Sequence, residues 1–298
     1  MVERAHESLW VDGRFVPTAE AAVGLFTHSL HYGTAVFDGC RFRRAASGRI
    51  VAFRLFEHIG RFVAGARTMF MALPYDRDAL GAACVATIAR SGVDEGYLRM
   101  LAWYGDDAIG IGAHNRAHVA LLSWDPPPAA REPVRLRVAG FGHDARWLPG
   151  VKLAGQYARS FLARGEAERT GCDDALFLGP DGTVAEATGA NVMVVQRGHL
   201  RTPPPSAPIL RGITRDTVLT LAREHGHPSS EVSLRRDDLL EADEILLTNS
   251  SLGITPVGAF EGRTLDAPGP MTRALVRAYR DVVCGDDPRH LDWLTEIP

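Results

Sequence analysis

Residues 151–157 read Val151-Lys152-Leu153-Ala154-Gly155-Gln156-Tyr157, and they hold the only lysine of the 298-residue chain. Lys and Arg together number 33, so 32 of these cations are arginine. A guanidinium stays protonated, whereas an amine can lose its proton when desolvated and attack a carbonyl. A lone lysine among arginines marks a position that needs an amine, or else a coding bias that spared one surface residue. Its neighbours are small and apolar, a setting that lets a flat, bulky group come close.

The bulk numbers bound the class. At 46% hydrophobic and 23% charged, the chain has the composition of a soluble globular protein, and its length suffices for two domains. A net charge of -3, with the arginines scattered among 36 acids, gives no footprint for nucleic acid or an anionic membrane. The first residues form no apolar leader, so a cytoplasmic location is expected. Cys40, Cys84, Cys172 and Cys284 lie far apart without CxxC spacing, as reduced thiols would, and no metal site is expected. His225-Gly226-His227, followed by Pro228, reads as a helix-end loop.

Outward from Lys152, the strongest break is Asp125-Pro126-Pro127-Pro128, continuing to Pro133, since consecutive prolines continue neither helix nor ladder. Domains are therefore expected at 1–125 and 134–298, with 126–133 as linker. In the first, Asp12-Gly13 joins two apolar runs as a hairpin. Strands follow at 35–42 and 50–53, helices at 55–71 and 76–91, and strands at 97–104 and 118–124. In the second, a strand at 134–141 and a Gly- and Pro-containing loop, 142–150, lead to Lys152. Helix 156–169 is expected to place Tyr157, Phe161 and Leu162 near its inner side. A hairpin at 174–186, a strand at 191–195, a helix from Gly212 to about His225, strands at 231–234 and 244–247, and a helix at 271–284 complete it.

Three chemical groupings stand out. Lys152 supplies an amine. Gly212-Ile213-Thr214 opens a helix, where amide N–H groups and the dipole suit a phosphate, although a plain N-cap fits as well. Glu186, before Ala187-Thr188-Gly189-Ala190-Asn191, is an acid that could hold a protonated ring nitrogen or a solvated strand-end residue. Together they are what a pyridoxal phosphate enzyme needs.

Several stretches resemble the branched-chain amino acid aminotransferases, fold-type IV pyridoxal phosphate enzymes. They are His31 to Arg41, Phe53 to Arg61, Gly96 to Arg99, Lys152 to Tyr157, Glu186 to Asn191, Leu210 to Asp216 and Thr248 to Val257, in family order across nearly the whole chain. The resemblance implies an α+β chain of two α/β domains, a small N-terminal domain plus a larger C-terminal pseudo-barrel domain. It implies transamination between an L-amino acid and 2-oxoglutarate through a Lys152 Schiff base, in a homodimer or larger assembly. Glu186 would hold the pyridinium and Tyr157 the phenolic oxygen. Arg61, Gly212, Ile213, Thr214 and Ser250 would hold the phosphate. Ser250 and Ser251 amides with Tyr97 would take the α-carboxylate. Tyr32, Phe37, Asp38 and Tyr97 would line the side-chain pocket, and Arg99 would bind a distal carboxylate.

Departures from the family pattern are Asp38 in place of Glu, Met100 and Arg211 in place of prolines, and the short loop 110–116. The rival readings are an aminodeoxychorismate lyase or a D-amino acid aminotransferase of the same fold, or a cofactor-binding protein without turnover. Gly39 stands where the lyases carry threonine and the D-specific enzymes a bulkier residue, and so favours the L-specific type.

Overall fold

The structure is a computed structural model that describes residues 5–126, 133–143 and 150–298. Most of the expected linker, 127–132, and much of the loop before Lys152, 144–149, lie outside the described residues. The chain divides into two compact units: residues 1–127, 151–156 and 282–298 form one, and residues 128–150 and 157–281 the other.

The first unit begins with β1 (Ser8–Val11) and β2 (Arg14–Pro17), paired across Asp12 and Gly13. Their φ angles of 46° and 94° are the left-handed pair that a tight hairpin turn demands. There follow α1 (His28–Tyr32), β3 (Val36–Arg44), β4 (Ile50–Phe53), α2 (Leu55–Thr68), α3 (Arg77–Ser91), β5 (Glu95–Tyr104) and β6 (Ala117–Trp124). Asp76 starts α3 by accepting from Ala79 N at 2.8 Å. α2 packs on β3, and its Leu55, Ile59, Phe62 and Ala66 are buried and spaced to share one helical face. Fully burying each of the larger three stabilises the unit by about 1.5–3 kcal/mol.

The second unit contains β7 (Val134–Val138), α4 (Tyr157–Arg169), β8 (Asp174–Leu178), β9 (Val184–Ala187), β10 (Asn191–Gln196), β11 (His199–Thr202), α5 (Ile213–Glu224), β12 (Ser229–Glu231), α6 (Arg236–Leu240), β13 (Glu244–Asn249), β14 (Gly253–Phe260), β15 (Arg263–Thr264) and most of α7 (Pro270–Cys284). Its sheet runs β12-β11-β10-β13-β14-β7-β8-β9, with β15 on β14. The β11–β12, β14–β7 and β7–β8 pairs are parallel. Leu136, Leu176, Val192, Val194, Ile245, Leu247 and Phe260 form its apolar centre.

Two segments return to the first unit, so the expected single boundary at 126–133 is redrawn. β16 (Leu294–Ile297) pairs antiparallel with β4, giving a wholly antiparallel sheet, β16-β4-β3-β5-β6-β1-β2. The lysine segment bridges β3, with Leu153 opposite Val36. Three further expectations are corrected. Phe161 and Leu162 are 80% and 57% exposed, because α4 buries its small face, Ala163 and Ala167. The strand expected at 231–234 is β12, at Ser229–Glu231. Residues 253–257, within the Thr248 to Val257 stretch whose family resemblance implies a phosphate- or carboxylate-binding loop, are in β14.

Candidate active site

Lys152 is set by backbone. Phe37 N donates to the Lys152 carbonyl (3.0 Å), Ala154 N to Ala35 O (2.7 Å) and Gly155 N to Gly33 O (3.0 Å). The two glycines allow this approach: a Cβ on Gly33, whose φ is +65°, would stand 2.7 Å from Gly155 Cα. Lys152 Nζ lies 4.8 Å from the Phe37 ring centroid, and the Arg99 guanidinium lies 4.4 Å from that same centroid. Arg99 also meets the rings of Trp124 (5.2 Å) and Tyr97 (5.6 Å). Three aromatic rings thus surround the guanidinium, an arrangement that favours a cation. The Arg99 Nε is buried and has no hydrogen-bond partner among the described residues.

Tyr97 is 5% exposed, and burial pushes its phenol up from the ordinary value. A Cβ at position 39 would come within 2.9 Å of its hydroxyl and 2.3 Å of Leu98 O, which is why Gly39 stands there. Tyr32, on α1, is more exposed and packs on His28, with centroids 4.6 Å apart.

Asp38 takes a different place from the pocket lining expected of it. Its carboxylate, 1% exposed, accepts from Arg61 Nε on Oδ2 (2.7 Å). Oδ1 accepts from Arg61 Nη2 (2.9 Å), His58 Nδ1 (2.7 Å) and Gly39 N (2.8 Å). Burial alone would raise its pKa, but the charge and hydrogen bonds of Arg61, with those of His58, hold it well below the usual carboxylate range.

In the second unit, Glu186 on β9 accepts from Leu210 N (2.9 Å) and Asn191 Nδ2 (3.1 Å), both on Oε2. His143 Nε2 lies 3.9 Å from Oε1, with its ring stacked on Phe177. Arg159 lies over Phe177 as well; burial lowers its pKa, and the Glu186 charge opposes that shift. Asn191 Nδ2 also donates to Leu210 O (2.8 Å), tying β9 and β10 to the segment that leads into α5. Gly212 is the N-cap of α5 and brings no capping side chain, with buried Ile213 and Thr214 in the first turn. A Cβ on Gly212 would meet Asn191 Oδ1 at 2.0 Å, so only glycine fits. Tyr157 opens α4 and is half-buried.

Asn191 faces Thr248 across β10 and β13, which places Ser250 and Ser251 at the end of β13. The amide of Ser251, expected to take a substrate carboxylate, instead donates to Asn249 Oδ1 (3.1 Å), as do its hydroxyl (3.0 Å) and Leu252 N (2.7 Å). Asn249 draws these donors because an Asn carbonyl closes a turn on the amides two and three residues on.

Phe37 thus gathers Lys152 and Arg99, Asp38 gathers His58 and Arg61, and Asn191 gathers Glu186 with the start of α5. Sequence reasoning missed His58, Trp124, His143 and Arg159, and gave Asn191 no role. Only the His58–Arg61 spacing, one helical turn, offered a signal. Taken unit by unit, the donor types fit pyridoxal phosphate: in the first, an amine beside an aromatic ring; in the second, a helix start without a capping side chain, and a carboxylate held by Leu210 N and Asn191 Nδ2. Among the described residues there is no group of three or more His, Cys, Asp or Glu able to hold a metal ion, and no helix is long and apolar enough to cross a membrane.

Comparison with known proteins places the whole chain in a family. The family model for amino-transferase class IV matches residues 35–260. A branched-chain-amino-acid aminotransferase of Pseudomonas aeruginosa is 35% identical over 299 residues, covering 97% of each chain. Its counterpart in Escherichia coli (strain K12) is 30% identical over 308 residues, covering 100% of this chain and 99% of its own. Among solved structures, a branched-chain aminotransferase of Thermoproteus uzoniensis with norvaline superposes with a TM-score of 0.94 at 33% identity, covering 98% of this chain and 100% of its own. The T.th. branched-chain amino acid aminotransferase complexed with N-(5'-phosphopyridoxyl)-L-glutamate gives 0.93 at 33%, covering 98% and 99%. The chain belongs to the class IV aminotransferase family.

Proposed function

We propose that this enzyme passes the amino group of an L-amino acid with a branched or related hydrophobic side chain to 2-oxoglutarate, with pyridoxal 5'-phosphate as cofactor. The observation that carries the substrate reading is the Phe37 ring, within 4.8 Å of Lys152 Nζ and 4.4 Å of the Arg99 guanidinium. Apolar aromatic surface beside the amine suits an aliphatic side chain, and a guanidinium held on that surface suits the distal carboxylate of glutamate or 2-oxoglutarate. The norvaline and phosphopyridoxyl-glutamate of the two solved relatives are ligands of these two kinds.

When bound, the cofactor supplies an aldehyde for the amine and a sink for the electrons released at the substrate Cα. Lys152 Nζ would hold it, would take the proton from Cα of the amino acid, and in the second half-reaction would return one to the carbon that becomes Cα of the new amino acid. Glu186 keeps the ring nitrogen protonated, and Tyr157 donates to the phenolic oxygen. Arg61, the α5 start at Gly212, Ile213 and Thr214, and Ser250 bind the phosphate. The Ser250 amide and Tyr97 orient the α-carboxylate. Tyr32 and Phe37 face the side chain, and Arg99 grips a distal carboxylate through two N–H groups.

The working form is a homodimer or larger. Val23, Leu25, Phe26, Leu30, Ile109 and Ile111 are exposed apolar side chains on neighbouring segments of the first unit, joined by His28 N to Gly105 O (2.8 Å), and a second copy would cover them. Four free thiols suit a reducing cytoplasm. The test is a panel of L- and D-amino donors with 2-oxoglutarate, reading L-glutamate formed. Leucine, isoleucine, valine and norvaline should lead. Turnover of D-alanine, or of aminodeoxychorismate without an acceptor, in preference to these would overturn the reading.

A further inference from the structure

We propose that Asp38 and His58 are positioning residues that aim the Arg61 guanidinium at the cofactor phosphate; this rests on the reading that Arg61 binds that phosphate. Asp38 grips Arg61 along one edge, Nε to Oδ2 at 2.7 Å and Nη2 to Oδ1 at 2.9 Å. A guanidinium is planar and its donors form a fixed fork, so a two-point grip on the Nε–Nη2 edge settles which way the Nη1 side points. A single bond to a mobile carboxylate would leave the fork free to swing.

The carboxylate is itself pinned. Oδ1 receives Gly39 N at 2.8 Å from its own strand and His58 Nδ1 at 2.7 Å from α2. His58 and Arg61 are three residues apart on α2, hence on one helical face, and Asp38 and His58 are each 1% exposed. Burial lowers the His58 pKa below its ordinary value in spite of the pull of Asp38. The ring therefore serves as a neutral donor to Asp38 rather than a second cation. Asp38 in turn offsets the Arg61 charge, so phosphate recognition at Arg61 depends on directed N–H groups more than on net charge.

A strand-to-helix ion pair with a purely structural role would show the same contacts. The two roles separate on the ligand. The apo form of the full-length chain is titrated with pyridoxal 5'-phosphate and with pyridoxal, which lacks the phosphate, and dissociation constants are read from absorbance. Arg61→Gln and His58→Leu should each weaken pyridoxal 5'-phosphate binding at least about tenfold, the worth of one hydrogen bond to a charged group, and leave pyridoxal binding unchanged. His58→Asn, whose amide can donate near the Nδ1 position, should restore most of the loss. The double variant Arg61→Gln/His58→Leu should bind no more weakly than Arg61→Gln alone. Asp38→Asn strands a buried cation and is scored only if its thermal midpoint is retained; the His58 pair decides otherwise.

If Arg61→Gln weakens binding but His58→Leu does not, the proposal falls and Arg61 keeps its phosphate role. Equal weakening toward pyridoxal and its phosphate by His58→Leu also overturns the proposal, in favour of a structural pair. Wild-type binding by Arg61→Gln overturns the phosphate reading and the proposal with it.

Discussion

The backbone N–H of Phe37 donates to the Lys152 carbonyl at 3.0 Å, and the Phe37 ring lies 4.8 Å from the Nζ of the same lysine. Main chain and side chain of the single amine are thus both referred to one residue of β3. Replacing Lys152 with Arg or Ala should abolish transamination, since neither offers an amine that can deprotonate. Borohydride reduction of the cofactor-loaded enzyme should add mass only to the peptide containing residue 152. With one lysine in the chain, the α-amino group is the only competing amine, so labelling elsewhere would count directly against the assignment. Phe37→Leu should keep the backbone bond and lose the ring contact, weakening the hold on a protonated amine by about 0.5–2 kcal/mol.

The lysine segment reaches β3 only because Gly33 and Gly155 meet backbone to backbone. Gly33→Ala adds a methyl 2.7 Å from Gly155 Cα at a φ of +65°. The strain should cost about 1–3 kcal/mol, visible as a lower denaturant midpoint. Because the displaced backbone carries Lys152, cofactor uptake should fall with it. A variant as stable as wild type and normally loaded would show that this contact does not set the lysine.

Acid should weaken the fold in two stages. Burial holds the His58 pKa down, and the Arg61 charge and hydrogen bonds, with those of His58, hold that of Asp38 down against its own burial. In both cases the unfolded chain binds protons more readily than the folded one. Each contribution is therefore whole above the unfolded value, about 6.5 for His and about 3.9 for Asp, and is lost as pH falls toward the folded value. Denaturant unfolding at pH 8 and pH 5 should show wild type losing stability on acidification, with His58→Asn losing less. An equal loss in both proteins would dismiss His58 as the first group to titrate.

Thiol labelling should be selective. Burial pushes Cys84 up to about 12 and raises Cys40 well above its ordinary value, whereas Cys172 and Cys284 are only half-buried. An alkylating reagent near pH 8 should modify Cys172 and Cys284 in the folded protein and reach Cys40 and Cys84 only after unfolding, as mass spectrometry of the peptides would record.

Glu244 is buried and accepts from Met271 N at 2.9 Å and Thr272 N at 2.8 Å, the first amides of α7. An anion at a helix start is favoured by both the hydrogen bonds and the dipole. Glu244→Ala should lower unfolding stability by about 1–3 kcal/mol without changing the preference among amino donors.

Much of this was legible in the sequence. Asp12-Gly13, the spacing of Leu55, Ile59 and Phe62, and Gly212 before Ile213 have local causes, and local causes can be read from neighbours. β14 was hidden by its own composition: Gly253, Pro256 and Gly258 suggest a loop, yet the strand runs between β13 and β7, with an irregular register at 257–259 taking up the misfit. The exposure of Phe161 and Leu162 was likewise unreadable, because α4 packs by its alanines. In the site, each grouping that was missed joins residues of different elements: Asp38 of β3 with His58 and Arg61 of α2, and Arg99 of β5 with Trp124 of β6. Only tertiary packing brings them together, and no periodicity announces it.

The pairing of β16 with β4 also sets a timetable. The outer edge of β4 has no partner until residues 294–297 have been translated, by which time the entire second unit has been synthesised. The nascent first sheet therefore carries an open strand edge throughout most of synthesis, a template for stray pairing between chains on one polysome. Chains truncated before residue 294 should consequently aggregate more readily than the full-length chain, as light scattering of the two would record.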